Sequence, residues 1–183
     1  MTKANIALIG ARGAGKSKIS RKLNKLFQRQ VFSTDSLISY EADGVPISSI
    51  VEDSGWLGFR DQEHQVLAKL AAMEDIIIDC GGGILVEAPE FDDKKKESFS
   101  TRKAKLLKER CTVVYLQRPM DYLLEKGKLD PNRPELAKDY KSLLERRMPW
   151  YEKSADVTIS LVDISVKDAA QKILDTLVKK NLI

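Results

Sequence analysis

Two cysteines and one histidine in 183 residues leave little room for thiol or imidazole chemistry. Cys80 and Cys111 both lie beside apolar runs and are too few for a disulfide framework. They read as reduced core or near-site residues of a reducing compartment. His64, among Glu63, Gln65 and Val66 in a helical pattern, reads as a surface or packing residue, not as a base or metal ligand. No apolar stretch reaches the ~18 residues that cross a bilayer, so no membrane partner is expected. The first apolar run, Ile6-Ala7-Leu8-Ile9, leads straight into a glycine-rich loop without a leader pattern, and the expected location is the cytoplasm. Charge of one sign is scarce too, with a formal net charge of +4. The basic stretches Lys94-Lys95-Lys96 and Arg102-Lys103-Lys105-Lys108-Arg110 read as a solvated helix face, and no nucleic-acid partner is expected. An Asn-Lys-x-Asp motif is absent, which argues against a GTPase. With 43% hydrophobic and 32% charged residues, no internal repeat and no linker, residues 1–183 are expected to form a single domain with a sizeable core.

What is present is a phosphate-binding signature. Gly10-Ala11-Arg12-Gly13-Ala14-Gly15-Lys16-Ser17 fits G-x-x-x-x-G-K-[ST] without a gap. It follows an apolar strand and precedes the helical spacing Ile19, Leu23, Leu26, Phe27, which is the strand-loop-helix context the motif needs. Backbone N–H groups from Gly13 to Lys18, with a helix N-terminus behind them, are aimed at a polyphosphate. Lys16 supplies a point charge for the β- and γ-phosphates, and Ser17 a hydroxyl for Mg²⁺. The sequence therefore predicts a nucleoside triphosphate site at Gly13, Ala14, Gly15, Lys16, Ser17 and Lys18.

Five apolar runs (Asn5–Ile9, Gln30–Ser33, Asp75–Cys80, Thr112–Gln117, Val157–Val162) alternate with helical patterns at Ser17–Gln28, Ile47–Ser54, Gly58–Met73, Pro89–Glu109, Met120–Lys126, Pro134–Ser154 and Val166–Lys179. This alternation predicts an α/β fold, a parallel sheet covered on both faces with its functional loops at the carboxyl ends of the strands. Asp35 and Asp79 fall at such ends. Asp79 reads as a Mg²⁺-orienting acid or as a solvated strand-end carboxylate. Gly81-Gly82-Gly83 follow directly, and three glycines there predict close approach of another group to the backbone. The charged stretch from about residue 88 to 107 reads as a polar, partly helical surface excursion, dispensable to the site.

Several pieces together resemble the shikimate kinase family, small P-loop kinases similar to nucleoside-monophosphate kinases. They are the loop Gly10–Ser17, Ser33-Thr34-Asp35, Gly55-Trp56-Leu57-Gly58-Phe59-Arg60-Asp61-Gln62-Glu63, Gly81-Gly82-Gly83, Asn132-Arg133-Pro134 and Arg147-Met148-Pro149-Trp150-Tyr151. The resemblance implies a three-layer α/β/α fold with sheet order 2-3-1-4-5 and a lid at about 123–137. It also implies Mg²⁺- and ATP-dependent phosphorylation of the 3-hydroxyl of shikimate, a step of aromatic amino acid (chorismate) biosynthesis, with ATP and shikimate as the partners of a monomer. It assigns Arg60 and Arg147 to the acceptor carboxylate, a task suited to the guanidinium fork. Asp35 is assigned to the acceptor hydroxyls as base or orienter, Gly81, Gly82 and Gly83 to the acceptor wall, and Lys16 and Arg133 to the transferring phosphoryl group. Trp56 and Phe59 are expected to wall the pocket and Tyr151 to be structural.

Three features depart from the family. Ser33 stands where an acid commonly helps hold the metal's water shell, Asp79 replaces a small or neutral residue, and the segment after the triple glycine is longer and more charged. We therefore read Asp79 and Ser17 as the metal-facing pair, with the acid moved one strand across. A kinase for another small acceptor, of gluconate or nucleotide type, and a nucleotide-dependent regulator on the same fold are the alternatives.

Overall fold

A computed structural model describes residues 5–87, 97–126 and 140–183. The expected Lys94-Lys95-Lys96 run, the Asn132-Arg133-Pro134 motif and most of the lid lie outside them.

The chain opens with β1 (Asn5–Ile9), α1 (Lys16–Phe27), β2 (Val31–Ser33), α2 (Thr34–Glu41), α3 (Ile47–Ala71) and β3 (Ile77–Asp79). It continues through β4 (Val86–Glu87), β5 (Ser98–Phe99), α4 (Thr101–Arg110), β6 (Cys111–Gln117) and α5 (Met120–Lys126). It ends with α6 (Tyr140–Ser154), β7 (Val157–Ser160) and α7 (Val166–Lys179). The main sheet runs β2-β3-β1-β6-β7, every pair parallel, with Leu8 opposite Asp79 and Ser33 opposite Asp79 at the carboxyl ends. This is the expected 2-3-1-4-5 order, relabelled because β4 and β5 pair antiparallel in a small sheet of their own.

Both faces of the sheet are buried, so the strands read as continuous apolar runs. Ile6 and Leu8 join a core with Ile19 and Leu23 of α1 and Ile173 and Leu177 of α7. Ala7 and Ile9 point the other way, into a core with Val66 and Leu70 of α3, Leu107 of α4 and Leu143 and Leu144 of α6. The carboxyl ends of β1, β2 and β3 lead into the phosphate loop, the first turn of α2 with Asp35, and the triple glycine.

Three local differences from the sequence expectation have physical causes. α2 was not expected. It starts because the Ser33 hydroxyl accepts from Ser36 N at 3.3 Å, a side-chain cap set on a weakly patterned segment. The two helices expected around residues 47–73 form one element broken at Gly55, whose φ of 67° and ψ of 174° suit glycine alone. Of the long helical pattern expected from Pro89, the described part is β5, paired antiparallel with β4, and then α4, which begins at a Ser100 cap accepting from Lys103 N.

Gly55 has no atom near the position of an added Cβ, so a substitution there is opposed by backbone strain alone. Gly55→Ala is expected to lower the unfolding free energy by about 1–3 kcal/mol in urea titrations. Tyr40→Ala, on a side chain 78% exposed, should stay within about 0.5 kcal/mol.

Candidate active site

The phosphate loop wraps from β1 to the N-terminus of α1, where Gly15 takes a left-handed conformation (φ 95°, ψ 15°). Gly10 is held by space as well as by conformation, since a Cβ there would stand 2.8 Å from Leu116 O. The Lys16 ammonium reaches back over the loop and donates to Gly10 O at 2.8 Å and Ala11 O at 3.0 Å. A cavity of ≈ 640 Å³ opens on this loop, lined by Gly13, Gly15, Lys16, Ser17 and Lys18. Asp35, Asp79 and Ser33 also line it, as do Arg118, Tyr122, Lys126 and Val166. Ala14 is buried beneath the loop, and its N–H donates to Ala11 O at 3.2 Å.

A second, narrower cavity of ≈ 50 Å³ adjoins it. Its lining is Arg12, Asp35, Ile47, Trp56, Phe59, Arg60, Glu63, Gly82, Gly83 and Arg147. Arg12 and Asp35 alone, among the described residues, line both cavities. Asp35 is set there by the first turn of α2, and the neighbouring Thr34 hydroxyl accepts from Gly81 N at 2.8 Å, tying α2 to the end of β3.

The triple glycine is explained by what presses on it. A Cβ on Gly81 would strike the Asp35 carboxylate, one on Gly83 would strike the Arg60 guanidinium, and one on Gly82 would stand 3.1 Å from Arg12 N. Gly82 O also accepts from the buried Tyr151 hydroxyl at 2.5 Å. Tyr151 stacks on Tyr115 at 5.4 Å, and burial pushes its phenol well above the usual range.

Two of the three arginines lining this cavity, Arg60 and Arg147, are buried and paired. Arg60 donates from Nη1 to Glu63 at 3.0 Å and to Gly83 O at 3.3 Å, and lies 5.1 Å from each of the Trp56 and Phe59 ring centres. Its Nε is buried and finds no acceptor among the described residues. Arg147 makes a two-pronged pair with Glu97, Nε at 2.8 Å and Nη2 at 2.5 Å. Burial pushes the Glu97 carboxyl up, but the bonds and charges of Arg147 and Arg146 outweigh it and hold the group below the usual carboxylate range. Glu63 behaves alike: burial opposes its ionisation, and the cations of Arg60 and Lys103 keep it ionised.

The fit to known proteins follows this geometry. The family pattern described as shikimate kinase matches residues 12–178. A shikimate kinase of Leptospira biflexa serovar Patoc is 47% identical over 173 residues, which is 93% of this chain and 94% of that protein. The chain belongs to the shikimate kinase family. A shikimate kinase from Acinetobacter baumannii in complex with shikimate superposes with a TM-score of 0.84 at 32% identity, over 100% of this chain and 97% of that one. The Aquifex aeolicus shikimate kinase gives 0.78 at 26% identity, over 97% and 98%.

In this shikimate kinase family member, the residues expected from sequence fall into two groups. Lys16, Ser17, Lys18, Asp35 and Asp79 meet at the larger cavity, and Asp35, Arg60, Gly82, Gly83 and Arg147 at the smaller. Gly81 stands behind Asp35, and Arg133 lies outside the described residues. One expectation is corrected in part. Where the stretch at 88–107 is described, Arg102 and Lys105 are exposed, like Lys108 and Arg110 just beyond it, but other side chains are tied into the site. Glu97 holds Arg147, Arg102 bonds Glu87 and Asp61, and Lys103 is 0% exposed with its ammonium 2.6 Å from Glu63. The signal was in the spacing: Lys103 precedes the buried Leu107 by four, on the apolar stripe of α4. Tyr140, whose hydroxyl donates to Arg12 O at 3.2 Å, and Glu97 carried no pattern of their own.

Gly83→Ala should force the Arg60 guanidinium aside without touching the phosphate loop. By calorimetry, shikimate affinity is expected to fall about tenfold or more, a loss of ~1.4 kcal/mol, while ATP affinity holds.

Proposed function

We propose that this chain transfers the γ-phosphoryl group of ATP to the 3-hydroxyl of shikimate. The observation that carries this reading is the junction of the two cavities. A phosphate loop faces one, two buried arginines face the other, and Asp35 borders both. An acceptor with a carboxylate at one end and hydroxyls at the other matches that order of groups. The solved Acinetobacter baumannii relative in complex with shikimate supports the choice of acceptor.

In this proposal the acceptor carboxylate meets Arg60 and Arg147, whose side chains line the smaller cavity. Asp35 accepts a hydrogen bond from the 3-hydroxyl and takes its proton as that oxygen forms the new P–O bond, while the bond to the departing ADP breaks. Lys16, beside the loop carbonyls, stabilises the charge spread over the phosphoryl oxygens, and the family assignment gives Arg133 the same task from the lid. Trp56, Phe59 and the closed wall at Gly82–Gly83 exclude water, which would otherwise compete as acceptor.

Mg²⁺ is proposed as the cofactor. The Ser17 hydroxyl and the Asp79 carboxylate are hard oxygen donors lining the loop cavity, and they fit an ion held mainly by phosphate and water. When bound, the ion neutralises developing phosphate charge. Ser33 caps α2, and its hydroxyl is engaged there, while Asp79 opposite it on β3 lines the loop cavity.

A coupled ADP-release assay with shikimate, quinate, gluconate and nucleoside monophosphates should show shikimate as the preferred acceptor. Lys16→Met is expected to cut kcat about 10²-fold or more; activity within a few fold of wild type would contradict the assignment. Asp79→Asn should raise the Mg²⁺ concentration needed for half-maximal rate and leave shikimate affinity unchanged. Ser33→Asp, which keeps a capping side chain, should partly restore it because two acids serving one ion couple. An unaltered Mg²⁺ dependence in Asp79→Asn would make that carboxylate a bystander.

A further inference from the structure

Lys103 is the most enclosed cation among the described residues, and the proposed chemistry does not use it. It is 0% exposed, and its ammonium donates to Glu63 Oε2 at 2.6 Å and to Val86 O at 2.6 Å. The same Glu63 oxygen accepts from Arg60 Nη1 at 3.0 Å. Two cations therefore share one carboxylate in a site closed to water, where charge must be matched by charge. Both contacts of Nζ are to acceptor oxygens; burial pulls the amine below the usual lysine range, while the charge of the Glu63 carboxylate and the bond to it favour the ammonium. Arg60 and Glu63 alone form a self-compensated pair, which offers an incoming anion a dipole. With Lys103 added, the three groups carry one net positive charge, and of the three Arg60 and Glu63 are the two that line the acceptor cavity.

We propose that Lys103 is a positioning residue for acceptor recognition: it neutralises Glu63, so that Arg60 presents an uncompensated charge to the acceptor carboxylate. The segment that carries it is built to hold it there. Lys103 ties α4 to β4 through Val86 O, the Ser100 hydroxyl bonds Glu87 at 2.7 Å, and Arg102 bridges Glu87 and Asp61 of α3 at 2.6 Å each. α4 thus delivers a charge next to Glu63 and Arg60, which line the pocket.

This inference rests on shikimate being the acceptor, and its test separates the two. Shikimate and its methyl ester differ in the charge that Arg60 reads. Wild type must first prefer shikimate over the ester in kcat/KM, and no preference would overturn both readings. Given that preference, Lys103→Met should raise the KM for shikimate about tenfold while the ester and ATP change little. The charge-compensated double variant Glu63→Gln/Lys103→Met restores a single positive charge at Arg60 and should recover most of the lost preference. Equal losses for shikimate and ester, or a double variant no better than Lys103→Met, would show Lys103 to be a structural strut and overturn the proposal. Circular dichroism checks that each variant is folded. If Lys103→Met does not fold, the double variant decides alone: retained preference for shikimate upholds the charge balance, and lost preference overturns it.

Discussion

A carboxylate enclosed by protein, that of Glu63, is the point from which the acceptor side of this molecule is organised. An ion of that kind is tolerated only when cations and hydrogen bonds replace its water, and breaking such a group by removing one partner typically costs about 3–5 kcal/mol. Glu63 is matched by Arg60 from its own helix and by Lys103 from α4, so a local pair and a long-range pair meet on one oxygen. That meeting fixes α4 against α3 and sets the guanidinium of Arg60 beside the edge-to-face pair of Trp56 and Phe59. Arg60 in turn occupies the space above Gly83 that no side chain can share. Pocket wall, helix packing and charge balance are consequences of one arrangement.

The nucleotide side depends on backbone conformation more than on buried charge. Left-handed glycines turn the chain after β1, and the α1 N-terminus follows directly, so N–H groups and helix dipole face the same cavity. The parallel sheet places β2 and β3 next to β1, so Asp35 and Asp79 arrive beside that loop from neighbouring strand ends. Phosphoryl transfer asks a protein chiefly for position and for charge near the moving oxygens. Here strand order sets the position, and Lys16 with the loop N–H groups brings the charge.

The fold and the loop were legible because their signals are local and periodic. Every main-sheet strand is visible as an apolar run, α7 agrees to the residue at Val166–Lys179, and α5 starts at the expected Met120. α2 was missed because its start depends on one hydroxyl, Ser33, and its weak apolar pattern offered nothing else. The acceptor residues Arg60, Arg147 and Asp35 came from motif resemblance, and their convergence on one cavity is a tertiary fact no spacing contains. Lys103 and Glu97 were read as surface because a run of lysines and acids looks solvated. Their burial depends on partners, Glu63 and Arg147, that lie 40 and 50 residues away in sequence.

The most direct measurement is a crystal structure of the chain with shikimate and a non-hydrolysable ATP analogue. The acceptor carboxylate is expected within hydrogen-bond distance of both Arg60 and Arg147, with the 3-hydroxyl on Asp35 and facing the γ-phosphate held at Lys16. A carboxylate bound away from these two arginines, or a 3-hydroxyl turned away from Asp35, would contradict the assignment of the two cavities.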